Sequence, residues 1–182
     1  MASSTRQPYA AGAGAGVVAW LLGYACTYLV TGTRVRESAL NQVLELVGGE
    51  STYKLVGWTF YNSHFVETAV EGLPATVTSA VGGESGFTVL LFFVPPALLV
   101  AAGLIVARYQ GVDTPRAGGL AGLTIVPGYL VVVFLGTVVF VVSVGPVSGR
   151  PSIVLAVVLA GLVYPSVFGA LGGVLAGATA DE

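Results

Sequence analysis

Four polar residues, Asn62, His64, Glu67 and Glu71, have the types and the spacing that could support chemistry. On a helix, His64, Glu67 and Glu71 occupy positions i, i+3 and i+7, which places an imidazole and two carboxylates on one face. Such a face can hold a divalent cation or relay a proton. A metal site usually takes a third or fourth strong ligand, and the chain has no second histidine. We therefore predict no metal site and keep these three residues only as candidates.

Nucleophilic catalysis lacks its usual partners in this sequence. A serine or cysteine nucleophile needs a nearby base, and His64, the only histidine, lies outside every long apolar stretch. The sequence contains no Gly-x-Ser-x-Gly elbow and no phosphate-binding loop. We predict that the protein has no catalytic residues, binds no cofactor and is not an enzyme.

The elements that must position these residues are long and apolar. Residues 86–107, 117–149 and 151–180 contain no Asp, Glu, Lys, Arg or His, and 8–33 is also long enough to span a membrane. A bilayer core about 30 Å thick needs about 20 apolar residues per helical crossing. The sequence therefore predicts an all-α membrane protein, one membrane domain over 1–182, with four transmembrane helices at about 10–31, 86–107, 118–144 and 151–177.

Residues 34–85 form a long polar segment between the first two spans, expected to lie outside the membrane core and here called the excursion. It holds six of the nine acidic residues and has a net charge of −3, and no basic run exists to bind nucleic acid. The spacing predicts an amphipathic helix over 37–47. Its apolar face would carry Leu40, Val43, Leu44 and Val47, and its polar face Asn41, Gln42 and Glu45.

A second part of the excursion, from Tyr53 to Glu67, is dense in aromatic residues with polar tips. Such side chains prefer the headgroup level of a bilayer. We expect Trp58, Tyr61 and His64 to lie at this interface, with the segment covering one end of the bundle. The alternative is a small extramembrane cap whose aromatic side chains pack on each other.

Glycine and proline are the other informative residues of the spans. Small residues at four-residue intervals let helices pack closely in lipid, within one chain or between copies. The glycines that form such stripes are Gly12, Gly16, Gly169, Gly173 and Gly177. Helix kinks are predicted at Pro95, Pro96, Pro127 and Pro165. Because broken helices occur at transporter binding sites, these prolines keep a transport function open.

The sequence carries two further signals, one on orientation and one on redox chemistry. The positive charges are nearly balanced, with Arg6, Arg108 and Arg116 on one side of the membrane and Arg34, Arg36, Lys54 and Arg150 on the other. The short link with two arginines favours a cytoplasmic N-terminus.

Cys26 is the only cysteine, so no intrachain disulfide can form.

The block Gly57-Trp58-Thr59-Phe60-Tyr61-Asn62-Ser63-His64-Phe65 is too unusual to reflect membrane composition alone. In this block, and at 20–29, 46–50 and 94–99, the chain resembles a family of small haloarchaeal membrane proteins of unknown function. The resemblance implies a halophilic archaeon and a location in the cell membrane. Six arginines against one lysine are compatible with that source. The resemblance implies no activity.

Two classes of function remain. The first is a non-enzymatic integral membrane protein, a structural or assembly component that docks partners through the 34–85 excursion. The partners expected are the lipid bilayer, a second copy or another membrane protein, and no nucleic acid. The alternative is a channel or transporter subunit for a small neutral solute or ion.

Overall fold

Four apolar helical spans form the body of the protein. A computed structural model describes residues 6–46, 51–71, 76–77, 81 and 87–180. Within them, four helices are long and apolar enough to cross a membrane, as predicted: Tyr9–Arg36, Val89–Tyr109, Pro115–Val139 and Ile153–Ala178, here called spans one to four.

The elements follow one another along the chain in a simple order. The helices are α1 (Arg6–Arg36), α2 (Ala39–Leu46), α3 (Thr52–Asn62), α4 (Val94–Tyr109), α5 (Pro115–Gly122), α6 (Val126–Val139), α7 (Ile153–Leu155) and α8 (Tyr164–Ala178). The strands are β1 (Thr68–Glu71), β2 (Thr76–Val77), β3 (Val142–Val144) and β4 (Val147–Pro151).

A small antiparallel sheet corrects the all-α prediction. Its strand order is β2-β1-β4-β3, with Ala69 opposite Arg150. The link between spans three and four is too rich in glycine and proline for a helix and forms the β3–β4 hairpin, with Gly145 at φ +56°. This hairpin offers a free edge, and β1 of the excursion pairs with it, which ties the excursion to the bundle. The remainder of the predicted excursion lies partly outside the described residues.

The prolines of the later spans coincide with changes in backbone hydrogen bonding. A 3₁₀ segment, Val89–Phe93, precedes Pro95 and Pro96, and a 3₁₀ turn, Leu123–Ile125, precedes Pro127. A π-helical segment, Ala156–Val163, precedes Pro165. In each of these spans an α-helix begins with proline in its first turn. The N–H groups of a first turn make no hydrogen bond within the helix, so the N–H that proline lacks costs nothing there.

All five packing glycines that were predicted make contacts inside the chain. A Cβ at Gly173 would overlap the carbonyl of Gly118, and one at Gly177 would overlap the carbonyl of Thr114. Gly169 packs on Gly122 and Ile125 of span three. On span one, Gly12 lies against Thr124 and Gly16 against the carbonyl of Ile125. The glycine faces therefore bring spans one and four against span three at backbone distance.

The helix α2 does not bury the face that its periodicity predicts. Only Leu44 of the apolar face packs inward, whereas Leu40 and Val43 are more than half exposed, and Val47 lies outside the described residues. Asn41, which the pattern places on the polar face, is fully buried. Its Nδ2 donates to Arg36 O and Glu45 Oε1, and its Oδ1 accepts from the Ser51 hydroxyl at 2.7 Å. These bonds hold α2 between the ends of α1 and α3, so that its inward side carries Asn41 and Leu44, while Gln42 and Glu45 remain exposed.

Candidate functional site: a buried histidine between the spans

The helix α3 of the excursion runs into the bundle alongside α1. The aromatic ring of Phe60 lies against Gly23 of α1, where a Cβ would come within 2.8 Å of it. Trp58 Nε1 donates to the carbonyl of Phe140 at 2.7 Å, and the Tyr61 hydroxyl donates to the carbonyl of Val133 in span three. The polar tips thus find acceptors in the protein backbone rather than in the headgroup layer.

Small residues make this insertion possible. Gly57 of α3 faces the ring of Phe140, and Gly136 of span three faces the Tyr61 hydroxyl, each at a distance that leaves no room for a Cβ. The rings of Trp20, Tyr24 and Phe140 stack beside Phe60. The aromatic block that was predicted to lie at the interface therefore forms part of the core between spans one and three.

A tight turn after α3 sets the position of His64. The helix ends at Asn62, the Ser63 hydroxyl donates back to Phe60 O at 2.6 Å, and Asn62 Nδ2 donates forward to Val66 O at 2.7 Å. Phe65 takes a φ of +59° and reverses the chain outward. The turn leaves His64 pointing inward, only 1% exposed.

The imidazole of His64 is held at both nitrogens. Nδ1 lies 2.9 Å from the carbonyl of Phe60, and Nε2 lies 2.7 Å from the hydroxyl of Tyr129. The ring of Tyr164 lies beside it, with centroids 4.9 Å apart. Tyr129 and Tyr164 occur near the middle of spans three and four, so a titratable group of the excursion is enclosed deep among the spans.

The two hydrogen bonds determine the tautomer. A carbonyl oxygen can only accept, so Nδ1 must carry the proton and donate to Phe60. Nε2 then has a free lone pair and accepts from the Tyr129 hydroxyl. His64 belongs to a turn rather than to a span, and burial lowers its pKa to about 4, partly opposed by the Phe60 carbonyl. The site is therefore a neutral imidazole with both nitrogens occupied.

The metal candidates do not share a helical face, because α3 ends before His64. Glu67 is exposed, and Glu71 is the last residue of β1. Within the described part of the chain, no three His, Cys, Asp or Glu side chains gather closely enough to hold a metal ion. His64 faces inward and Glu67 is exposed, so these two candidates point to different surroundings, while the side chain of Glu71 lies outside the described residues.

Sequence reasoning missed the two partners of His64, which are Tyr129 and Tyr164. A signal was present, because a tyrosine in the middle of an apolar span needs a partner for its hydroxyl. What the sequence did not show was that the partner comes from the excursion, 65 positions away in the case of Tyr129.

Comparison with known proteins identifies a family to which no activity is assigned. A model of a family of unknown function, DUF7978, matches residues 1–180. No curated protein and no solved structure matches the chain. Since the match extends over nearly the whole sequence, the chain belongs to the DUF7978 family of unknown function.

Proposed function

We propose that this protein is a non-enzymatic structural component of its membrane, and that α2 docks a second membrane protein. The observation that carries the proposal is the exposed apolar face of α2: Leu40, Val43 and Leu46 are 54%, 56% and 86% exposed. The hydrogen bonds of Asn41 hold this face outward. An ordered apolar face of this kind is typical of an interaction site.

The exposed face of α2 lies at the polar end of the spans. Helix α2 begins three residues after span one ends at Arg36. At this end Arg34 lies 5.4 Å from the centroid of the Phe87 ring, two residues before span two begins. An apolar face that charged residues border at the end of the spans suits a partner that is itself a membrane protein.

The charges around this face are of both signs. Arg34 and Arg36 are exposed in the last turn of α1, Glu37 is exposed just before α2, and Glu45 is exposed on α2 itself. The partner that fits is a membrane protein with an apolar patch bordered by charged side chains of both signs.

The spans support a structural role more than a channel. Spans three and four meet backbone to backbone at Gly118 and Gly173, and spans one and three meet at Gly16 and Ile125. Such contacts leave no width for a water-filled path between these helices. The alternative of a channel or transporter subunit would then need several copies.

Photo-crosslinking tests the docking role. A benzoylphenylalanine at Val43 is expected to capture one protein of defined mass in native membranes, and a Val43→Asp variant is expected to purify without it. The matched control is the same probe at Leu135, which is similarly exposed on span three. Equal capture at both positions, or a product with the mass of two copies, would contradict the proposal. A reproducible solute flux in liposomes would favour the channel alternative.

We further propose a haloarchaeal cell membrane as the location, with the N-terminus in the cytoplasm. The two arginines in the nine-residue link after span two support this orientation. In a Cys26→Ser background, a cysteine at Asp113 is expected to react with an impermeant maleimide only after the membrane is opened. A cysteine at Glu37 is expected to react in intact cells. The opposite labelling pattern would reverse the orientation.

A further inference from the structure

A groove at the opposite end of the bundle is a second candidate site. It has a volume of about 600 Å³ and lies between Tyr9 of α1 and the first part of span three. Leu120, Leu123 and Pro127 form its exposed apolar wall. The groove exists because α1 meets span three closely only from Thr124 onward, so the two helices diverge towards the link between spans two and three.

The dimensions of the groove match one leaflet of a bilayer. Its lining on span three extends from Ala117 to Pro127, which is about 15 Å along a helix. The hydrocarbon core of a bilayer is about 30 Å thick, so the groove covers half of it. A hydrocarbon chain that enters from one membrane surface would fill this length.

One end of the groove carries a polar side chain whose hydrogen-bond donor has no acceptor. Gln110 lines it, and the Nε2 atom of Gln110 is shielded from water with no hydrogen-bond partner in the structure as described. A buried donor without an acceptor is costly, which points to an acceptor supplied by a bound molecule. Arg108 and Arg116 are exposed on either side of Gln110 in the same link, against a single acid, Asp113.

We propose that this groove binds one phosphate-bearing anionic lipid. The hydrocarbon chain lies along Leu120, Leu123 and Pro127, and a headgroup oxygen accepts from Gln110 Nε2. Arg108 and Arg116, exposed in the same link, supply the positive charge that attracts the phosphate, for which arginine is well suited. This lipid site is separate from the docking role of α2, since it lies at the other end of the bundle.

Native mass spectrometry of the protein in detergent tests the lipid site. Dioleoylphosphatidylglycerol is expected to bind with a stoichiometry of one and at least about tenfold more tightly than dioleoylphosphatidylcholine, because hydrogen bonds to charged groups are strong. Leu120→Trp fills the groove and is expected to weaken this binding about tenfold. Gln110→Leu is expected to reduce the preference for the anionic lipid.

The matched control is Leu135→Trp, another exposed leucine of span three that lies outside the groove and should leave binding unchanged. Equal affinity for the two lipids, or an equal effect of Leu120→Trp and Leu135→Trp, would overturn the proposal. Displacement of the lipid by free glycerol phosphate would also overturn it, because a headgroup site alone would then explain the binding. Unchanged unfolding temperatures of the variants exclude misfolding as the cause.

Discussion

Gly118→Ala and Gly173→Ala are each expected to lower the free energy of unfolding by about 2–3 kcal/mol, the typical cost of overpacking. A Cβ on either residue would overlap the backbone carbonyl of the other, and a backbone moves less readily than the end of a side chain. The contact is reciprocal, so either substitution alone must separate spans three and four. A stripe of small residues without such contact would tolerate alanine.

Gly14→Ala is the matched control for this pair. A Cβ at Gly14, in the first third of α1, would meet nothing within 4 Å. Alanine is a better helix former than glycine by up to about 1 kcal/mol, so this variant is expected to gain slightly in stability. Thermal unfolding in detergent should show a loss of about 5–10 °C for Gly173→Ala and a small rise for Gly14→Ala. A rise for both would mean that spans three and four do not touch here.

His64→Ala is expected to lower the free energy of unfolding by about 3 kcal/mol or more. The substitution removes the acceptor of the Tyr129 hydroxyl and the donor to the Phe60 carbonyl, and it leaves a cavity beside Tyr164. Tyr129→Phe keeps the ring and removes one bond, so we expect about 1–3 kcal/mol. Glu67→Ala, at an exposed position three residues away, is expected to change stability by less than about 0.5 kcal/mol.

The single histidine allows a direct check of this geometry. In ¹⁵N-labelled protein, the imidazole is expected to give the spectrum of a neutral ring with the proton on Nδ1, and Tyr129→Phe is expected to shift Nε2. A spectrum with the proton on Nε2 would contradict the assigned hydrogen bonds. If Glu67→Ala were as harmful as His64→Ala, the cation site that the sequence suggested would need to be considered again.

Acidification gives a second test of the buried histidine. Burial lowers the pKa of His64 to about 4, below its unfolded value of 6.5. Between these values the unfolded chain binds a proton that the folded chain does not. The free energy of unfolding therefore falls as the pH decreases from 6.5 to 4, and the contribution of the neutral His64 is fully present above pH 6.5. The groups that face the ring are the phenols of Tyr129 and Tyr164, which stay neutral in this range. His64→Ala should flatten the dependence of the unfolding temperature on pH in this window.

The class and the number of spans followed from the sequence because both depend on local properties. A helix that crosses a bilayer needs only length and the absence of charge, which single stretches display. The glycine stripes could also be recognised locally. Whether they pack within the chain or between copies depends on which backbone lies opposite, and only the tertiary contact of Gly173 with Gly118 decides it.

The orientation of α2 and the site around His64 were not determined by the sequence. An amphipathic pattern shows two faces but does not show which side chains turn inward, and the bonds of Asn41 bring it inward beside Leu44. Likewise, an aromatic ring with a polar tip suits a headgroup layer or a buried acceptor equally well. The sequence spacing of Trp58, Tyr61 and His64 would be the same at the membrane interface as in the core of the protein.

Composition and spacing were enough to predict four apolar spans, with the histidine and most of the acids in the excursion. That part of the excursion enters the bundle is evident only from contacts between distant residues. The physical reason is that Gly23, Gly57 and Gly136 open the space for α3, while the carbonyls of Phe60 and Val133 and the hydroxyl of Tyr129 supply partners for its polar groups. Val133 and Tyr129 are distant in the chain from Tyr61 and His64, so no local pattern of residues could reveal these two partners.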